Sequence, residues 1–555
     1  MSANQSRTLI IGLDGATFDI IQPLAQAGYL PTLARLMEQG AHGPLQAWPN
    51  TNSAAAWSSM VTGYNAGQHG IYHFGEALIR RGAPWRPTTG ADRRKDPFWR
   101  HLSAAHQYVG IINMPISYPA DAVNGFMLAG MDTPSLRSSG FAHPPDLPAE
   151  LRRQGIEYVI DVPTLGEASR RDPHRLPALV HRMIDARART ILYLMDTRPW
   201  DVLLAVFVAT DRVQHYFWPD EGSAVDAPEW TPIRSVYQQI DAFLGQALAR
   251  LDETATVLVV SDHGFGPAHA AKRHLNELFA HLGWLCFRQG KGDLQGWVLK
   301  NLLRHGRRFL PHSLQNWLAH ALPGLHLRAV SQNRFSGVDW SKTHVYADLP
   351  GSTVYINLRG REEEGVVPPE EYHAWCERVR DVLLQLTDPA TGRRAIRAVR
   401  RREEIYHGPF LEQAPDLRLE WDYEVPGDAL CYAAGAGPII VTPREQIQPG
   451  SQWNGTHRSD GIFIAHGPSI RRGAVVDNVA IYDIAPTVLY LQNQPVLTDM
   501  DGKVLIDIFV EEHLRRHPIR WKEPKDTVTQ VRTDVLAAEE AREVEERLRS
   551  LGYLE

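Results

Sequence analysis

Three aspartates, three histidines and one serine in this chain have the types and spacings that hold divalent cations beside a nucleophile. Asp14 follows the apolar run Ile10-Ile11-Gly12-Leu13, Asp211 follows Val206-Phe207-Val208-Ala209-Thr210, and Asp262 follows Leu258-Val259-Val260-Ser261. His263 adjoins Asp262, and His215 lies one helical turn beyond Asp211, so the two side chains can face one point. His457 sits in the Gly-containing stretch Asn454-Gly455-Thr456-His457-Arg458. Carboxylates gathered at one place repel one another unless cations hold them. Asp and His ligands without Cys suit zinc, or less tightly manganese. The serine is Ser53, in Pro49-Asn50-Thr51-Asn52-Ser53-Ala54-Ala55-Ala56-Trp57. Pro49, Asn50 and Asn52 favour a turn, and Ser53 reads as the N-cap of the helix that follows. A hydroxyl there sees exposed N–H groups and the positive end of the helix dipole, a place to hold and attack a phosphate. A capping serine or a strand-end aspartate means little by itself; the set carries the reading.

These residues need a scaffold that brings strand ends together. Residues 8–13, 201–209 and 254–260 read as buried strands, each ended by one of the aspartates, and residues 108–113 as a further strand. Helical periodicity covers 18–27, 30–39, 98–105, 176–195 and 232–251. The alternation predicts an α/β fold with a mainly parallel sheet sandwiched between helices. In such a sheet the carboxyl ends of the strands form one edge, where ligands bind. Residues 132–172, with Pro134, Pro144, Pro145 and Pro148, read as an irregular surface excursion. Residues 286–340 differ in character: 297–322 is amphipathic, with Arg304, Arg307 and Arg308 among Trp297, Leu302, Leu303, Phe309 and Trp317. A helical insertion packed on the main domain is the favoured reading, ahead of a peripheral membrane contact. Further on, 353–358, 438–442 and 461–465 read as strands, 370–386 and 482–491 as helices, and 536–551 as a charged helix. The expected organisation is a discontinuous core (1–285 and 341–510), a helical insertion or lid (286–340) and a helical C-terminal tail (511–555).

Composition bounds the function. Hydrophobic residues make up 43% and charged residues 22% of 555 positions, which excludes a disordered chain. The net charge of −6 gives no footprint for bulk nucleic-acid binding. Cys286, Cys376 and Cys431 are odd in number and far apart, which argues against a disulfide framework or a Cys-type zinc site. The N-terminal apolar run is too short for a signal segment, and no run is long enough to span a bilayer. The expectation is a cytoplasmic protein.

The motifs together resemble the alkaline phosphatase superfamily, and within it the type I phosphodiesterase/nucleotide pyrophosphatase family. The resemblance is carried by Ile11-Gly12-Leu13-Asp14-Gly15, the Ser53 loop with Thr62-Gly63 and His69-Gly70-Ile71, Asp211 and His215, Ser261-Asp262-His263-Gly264-Phe265, Gly455-Thr456-His457, and Asp483-Ile484-Ala485-Pro486-Thr487. It implies an alkaline-phosphatase-like core and two divalent cations, zinc first and manganese second. One would be held by Asp211, His215 and His457, the other by Asp14, Asp262, His263 and the Ser53 oxygen. Ser53 would be the nucleophile, where the family more often has threonine, and a phosphoseryl intermediate would follow. The substrate would be a small phosphoester, with a nucleotide among the candidates.

One departure bears on specificity. The family's nucleotide pyrophosphatases place a phosphate-binding asparagine after the nucleophile, and Ala54, Ala55, Ala56 and Trp57 cannot play that part. Asn50 or Asn52 is the substitute donor, and the N–H groups near Ala54 are candidates for a non-bridging oxygen. Asp19, Arg212, Arg458 and Asp460 adjoin the site in sequence and are candidates for supporting or substrate contacts, whereas His69 is expected to be structural. Ala55 and Trp57 stand where a sulfatase needs Pro and Arg, which argues against that activity. A phosphomonoesterase shares the Ser-Ala-Ala pattern, and a phosphomutase shares the metal cluster. The rival from another class is a regulatory protein with a dead metal site, which has no need of the complete ligand set seen here.

Overall fold

The computed structural model describes residues 6–75, 86–162, 175–268, 275–288, 337–347, 352–425, 429–434, 437–441, 454–524 and 535–550. In chain order its strands include β1 (Thr8–Leu13), β2 (Ala41–Gln46), β3 (Val109–Met114), β4 (Gly125–Ala129), β5 (Ala142–His143), β6 (Val202–Phe207), β7 (Thr256–Val260) and β8 (Gly264–Pro267). After these come β9 (Val345–Ala347), β10 (Thr353–Ile356), β11 (Ile396–Arg401), β12 (Leu417–Trp421), β13 (Leu430–Ala434), β14 (Gly437–Val441), β15 (Gly455–Arg458) and β16 (Asp460–His466).

The central sheet runs β2-β16-β7-β1-β6-β3-β4-β5, and the short strands Ala474–Val475 and Val479–Ala480 pair parallel with β2 to make ten. β1 lies parallel to both β6 and β7, and β3 is parallel to β6 and β4. Only β16, β2 and β5 bring antiparallel pairings. Every residue of β1, β6 and β7 is buried, as continuous Val, Ile and Leu runs require when helices cover both faces. The helices Phe18–Gln26, Leu176–Thr197 and Thr231–Leu248 turn their apolar sides into this core through Leu24, Ile184 and Ile240 among others. The parallel α/β sheet expected from the alternation is present, and β1, β6 and β7 deliver their three aspartates to one edge.

A second sheet, antiparallel and ordered β11-β12-β10-β9, follows in the chain. The helix Tyr372–Leu384 packs with it, burying Trp375, Cys376, Val379, Val382 and Leu383 at three- and four-residue spacing. The two sheets have separate apolar clusters.

Two local readings change. The run 201–209 stops as a strand at Phe207, and Ala209 opens the helix Ala209–Phe217, so Asp211 lies in a first helical turn rather than at a strand end. A carboxylate there gains from the helix dipole. The excursion at 132–172 contains β5 and the helix Leu147–Arg153, with Pro148 at its start, where proline favours a helix. The amphipathic stretch 297–322 lies outside the described residues. The C-terminal helix Ala538–Ser550 buries Val544 and Leu548 in the main core. Its Arg547 donates to the carbonyls of Met131, Thr133 and Pro134. No helix among the described residues is long and apolar enough to cross a membrane.

Candidate metal centre

Ser53 opens the helix Ser53–Thr62, but it is not the cap. Asn52 is the N-cap, and its Oδ1 accepts from the Ala54 N–H at 3.1 Å. Two cap-forming residues stand side by side here, and the first takes the role, which frees the Ser53 hydroxyl. Ser53 is fully buried, with its Oγ 3.1 Å from His263 Nε2. Asn52 Oδ1 and the Ala54 N–H are therefore engaged with each other.

Asp14 leaves β1, and Asp262-His263 leaves its neighbour β7, so the sheet register sets them side by side. His263 Nε2 lies 3.6 Å from Asp14 Oδ1 and 3.4 Å from Asp262 Oδ2. Trp57 Nε1 donates to the other Asp14 oxygen at 3.2 Å, and the Gly15 N–H donates to Asp262 Oδ1 at 3.2 Å. Gly15 makes this approach at φ +67, a conformation that favours glycine. Asp14 Oδ1 and Asp262 Oδ2 are buried without a hydrogen-bond partner.

The second group forms across the helix Ala209–Phe217 and β15. Asp211 Oδ1 lies 3.3 Å from His215 Nε2 and 3.1 Å from His457 Nε2, and the two Nε2 atoms are 3.2 Å apart. The His457 ring stacks on His263 with centroids 3.7 Å apart, which joins the two groups.

The donor chemistry fits cations at both places. Each histidine spends Nδ1 on a backbone carbonyl: His215 on Gly455, His457 on Thr51 and His263 on Gly264. A neutral imidazole with its proton on Nδ1 turns the Nε2 lone pair outward. The Nε2 atoms of His215 and His457 then converge on Asp211 Oδ1, an arrangement that a cation can satisfy. Asp211, His215 and His457 form one cluster of convergent ligand atoms, and Asp14, Asp262 and His263 form another. All offer oxygen or nitrogen, the donor set of zinc and manganese.

The electrostatics agree. Burial, with Asp262 and Asp211 nearby, holds the Asp14 carboxyl well above its ordinary range. Burial also pushes Asp262 up to about 7 and His263 down to about 4. Burial opposes ionisation of Asp211 too, but His215, His457 and Arg212 outweigh it and hold that carboxyl well below the usual range. Negative charge is thus disfavoured at Asp14 and Asp262 as long as only protein surrounds them, the condition that a bound cation reverses.

All seven residues singled out from the sequence meet at this edge. Of the supporting candidates, Arg212 arrives: its Nη1 donates to Asp211, and its Nη2 and Nε reach Asp161 at 2.8 and 3.3 Å. Asp161 and Trp57 were not anticipated, and no motif marks either. Asp19 and Asp460 are exposed, and Asp19 accepts from its neighbour Thr17. Arg458 lies 3.6 Å over the Tyr423 ring. His69 is buried, with Nε2 2.9 Å from Ser59 Oγ and Nδ1 accepting from the Ile71 N–H, a structural place within the turn.

A mainly parallel sheet thus gathers carboxylates, histidines and a buried helix-start serine at its carboxyl edge, the class of site that places candidate metal ligands beside a hydroxyl. The family profile described as type I phosphodiesterase / nucleotide pyrophosphatase matches residues 8–469. The chain belongs to the type I phosphodiesterase/nucleotide pyrophosphatase family, within the alkaline phosphatase superfamily, and is a metal-dependent hydrolase of phosphoester bonds. No curated protein sequence matches it significantly. Human ectonucleotide pyrophosphatase/phosphodiesterase 5 is a similar solved structure, with 13% identity over 91% of this chain and 100% of that one, at TM-score 0.46. An inactive variant of the murine protein in complex with AMP gives 13% identity over the same shares, at TM-score 0.47. Phosphonoacetate hydrolase from Sinorhizobium meliloti, in complex with phosphonoformate, gives 14% identity over 88% of this chain and 95% of that one, at TM-score 0.47.

Proposed function

We propose that the protein is a two-metal phosphodiesterase or pyrophosphatase working through a phosphoseryl intermediate on Ser53. The observation that carries this reading is the convergence of Ser53 Oγ, His263 Nε2 and the unpartnered oxygens of Asp14 and Asp262 in one buried cluster. Asp211, His215 and His457 would hold one cation, and Asp14, Asp262, His263 and Ser53 the other, zinc being the first expectation and manganese the second. Divalent cations held there lower the pKa of the serine hydroxyl and stabilise charge on phosphoryl oxygens.

Ser53 gives up its hydroxyl proton to solvent and attacks phosphorus in line. Its O–P bond forms as the bond from phosphorus to the leaving oxygen breaks, and that oxygen departs with the electron pair and takes a proton from water. Water then breaks the Ser53–phosphoryl bond and returns the serine. His263 Nε2 lies 3.1 Å from Ser53 Oγ, so both atoms face the place where their shared cation would sit. His457 is fixed by the Thr51 carbonyl, which ties the nucleophile loop to the other ligand group. Of the substrate candidates, Asn50 retains a free amide nitrogen. The organisation into a discontinuous core, an insertion at 286–340 and a C-terminal tail, a nucleotide-like substrate and a cytoplasmic location belong to the same proposal.

The test is hydrolysis of bis-(p-nitrophenyl) phosphate against p-nitrophenyl phosphate, with added zinc or manganese and a chelator control. Diester hydrolysis in excess, lost with chelator, is the expected result. Preference for the monoester would move the chain to the phosphatase branch, and hydrolysis that survives chelation would overturn the metal assignment.

A further inference from the structure

Beside the nucleophile loop stands a cation that, among the described residues, has no counter-ion. Arg418 lies on β12 of the second sheet and is 9% exposed. Its Nη2 donates to Thr51 Oγ1 at 3.0 Å, and its guanidinium lies 5.9 Å from the Trp48 ring centroid. Neither partner is an anion. Among the described residues no carboxylate pairs with it, and its Nε is buried without an acceptor. The arginines nearby are treated differently: Arg361 and Arg402 both reach Asp416.

Asn50 adds a second free donor. It is 7% exposed; its Oδ1 accepts from Tyr406 Oη at 2.6 Å, and its Nδ2 has no partner. Both donors adjoin Thr51, whose carbonyl engages His457 Nδ1 at 2.8 Å, and Ser53 follows two residues later. Neither donor atom reaches solvent, so bulk water does not satisfy it. A guanidinium Nε–H and an amide Nδ2 group buried without acceptors are costly to keep, and an anionic oxygen relieves such donors.

We propose that Arg418 and Asn50 form a subsite for a second negative charge on the substrate, on a phosphoryl or carboxylate oxygen beside the attacked phosphoryl group. The inference rests on the reading that Ser53 attacks phosphorus. Charge matching supports it. Two divalent cations against Asp14, Asp211 and Asp262 leave one positive charge, and Asp161 offsets Arg212. One positive charge matches a simple diester. Arg418 adds a second, which matches a pyrophosphate linkage, a phosphonocarboxylate or a monoester dianion. A hydrogen-bonded arginine of this kind is a specificity device, because a substrate without the second charge leaves it buried and unpaired.

The experiment is calorimetric binding of methylenediphosphonate, inorganic phosphate and dimethyl phosphate to the zinc-loaded full-length protein and to its Arg418→Met, Arg418→Lys and Asn50→Asp variants. In Arg418→Met the affinity for methylenediphosphonate relative to dimethyl phosphate falls about 10- to 100-fold, the value of a charge-assisted hydrogen bond. Arg418→Lys recovers part of the ratio, since it keeps the charge and loses the planar fork. Asn50→Asp, nearly isosteric, lowers the same ratio by placing a negative charge in the subsite. The phosphate arm separates the sources: a loss equal to that of methylenediphosphonate puts the second charge on the attacked phosphorus, and a smaller loss puts it on a neighbouring group. A ratio unchanged in both Arg418→Met and Asn50→Asp overturns the proposal. Failure of the wild-type protein to hydrolyse any ester, with the binding ratio still dependent on Arg418, would instead sink the catalytic reading alone.

Discussion

Replacing Arg212 with methionine should destabilise the protein more than any loss of packing explains. The Arg212 side chain is 1% exposed and bridges Asp161, itself fully buried, to the ligand Asp211. Removing it leaves the buried Asp161 carboxylate with the Val162 N–H and without its ion-pair partner, since Arg187 and Arg547 make no hydrogen bond to it. Breaking a buried pair from one side costs about 3–5 kcal/mol. Removing both partners is close to neutral when apolar groups fill the space. Arg212→Met together with Asp161→Leu should therefore recover more than half of the loss, with a coupling of about 2 kcal/mol or more. Urea unfolding with excess zinc measures the four proteins of the cycle. Arg212 also orients Asp211, so zinc affinity should fall about 10- to 100-fold in Arg212→Met. A destabilisation below about 1 kcal/mol, or strictly additive substitutions, would refute the argument, because the pair would then be behaving as a solvated one.

Gly12→Ala places a Cβ 2.5 Å from Trp57 Cη2 and 3.0 Å from Val206 Cγ2, in a strand with no room to move. The indole must shift and loosen its hold on Asp14, so thermal melts should show a loss of about 1–3 kcal/mol, and zinc titration should show weaker binding. His69 gives a pH signature. Burial holds its imidazole neutral down to about 3, while the unfolded chain takes up a proton near the ordinary 6.5. Its contribution is whole above pH 6.5 and is lost as pH falls toward 3, at up to about 1.4 kcal/mol per pH unit. Denaturation midpoints against pH should flatten over that window in His69→Gln. His457→Ala should lower bound zinc to one ion per chain, since it removes the ligand shared between Asp211 and His215; elemental analysis that still finds two would break the ligand assignment.

The residues that gather at the carboxyl edge are legible because each follows a local signal. A buried apolar run predicts a central strand, an acidic residue after it predicts a ligand at the carboxyl edge, and His215 one turn beyond Asp211 needs only helical geometry. The N-cap was misplaced by one residue because Asn52 and Ser53 are both good caps, and only the Ala54 N–H decides between them. What the sequence hides is what comes from far along the chain. Asn50 and Tyr406 are 356 residues apart, Thr51 and Arg418 are 367, and Thr51 and His457 are 406. Nothing local in the segment Leu417–Trp421 marks Arg418 as reaching Thr51 and not an acid. Asp161 likewise gains its meaning only from Arg212, which reaches back from a helix that begins at Ala209.

The most direct test of the account measures bound metal and turnover together, in the wild-type protein and in Ser53→Ala. Ser53 supplies one oxygen to a group that keeps Asp14, Asp262 and His263, so the variant should still bind two divalent ions per chain. It should no longer hydrolyse bis-(p-nitrophenyl) phosphate, whereas the wild-type protein hydrolyses it and loses that activity to a chelator. Turnover by Ser53→Ala at the wild-type rate, with both ions bound, would contradict the claim that this serine is the nucleophile.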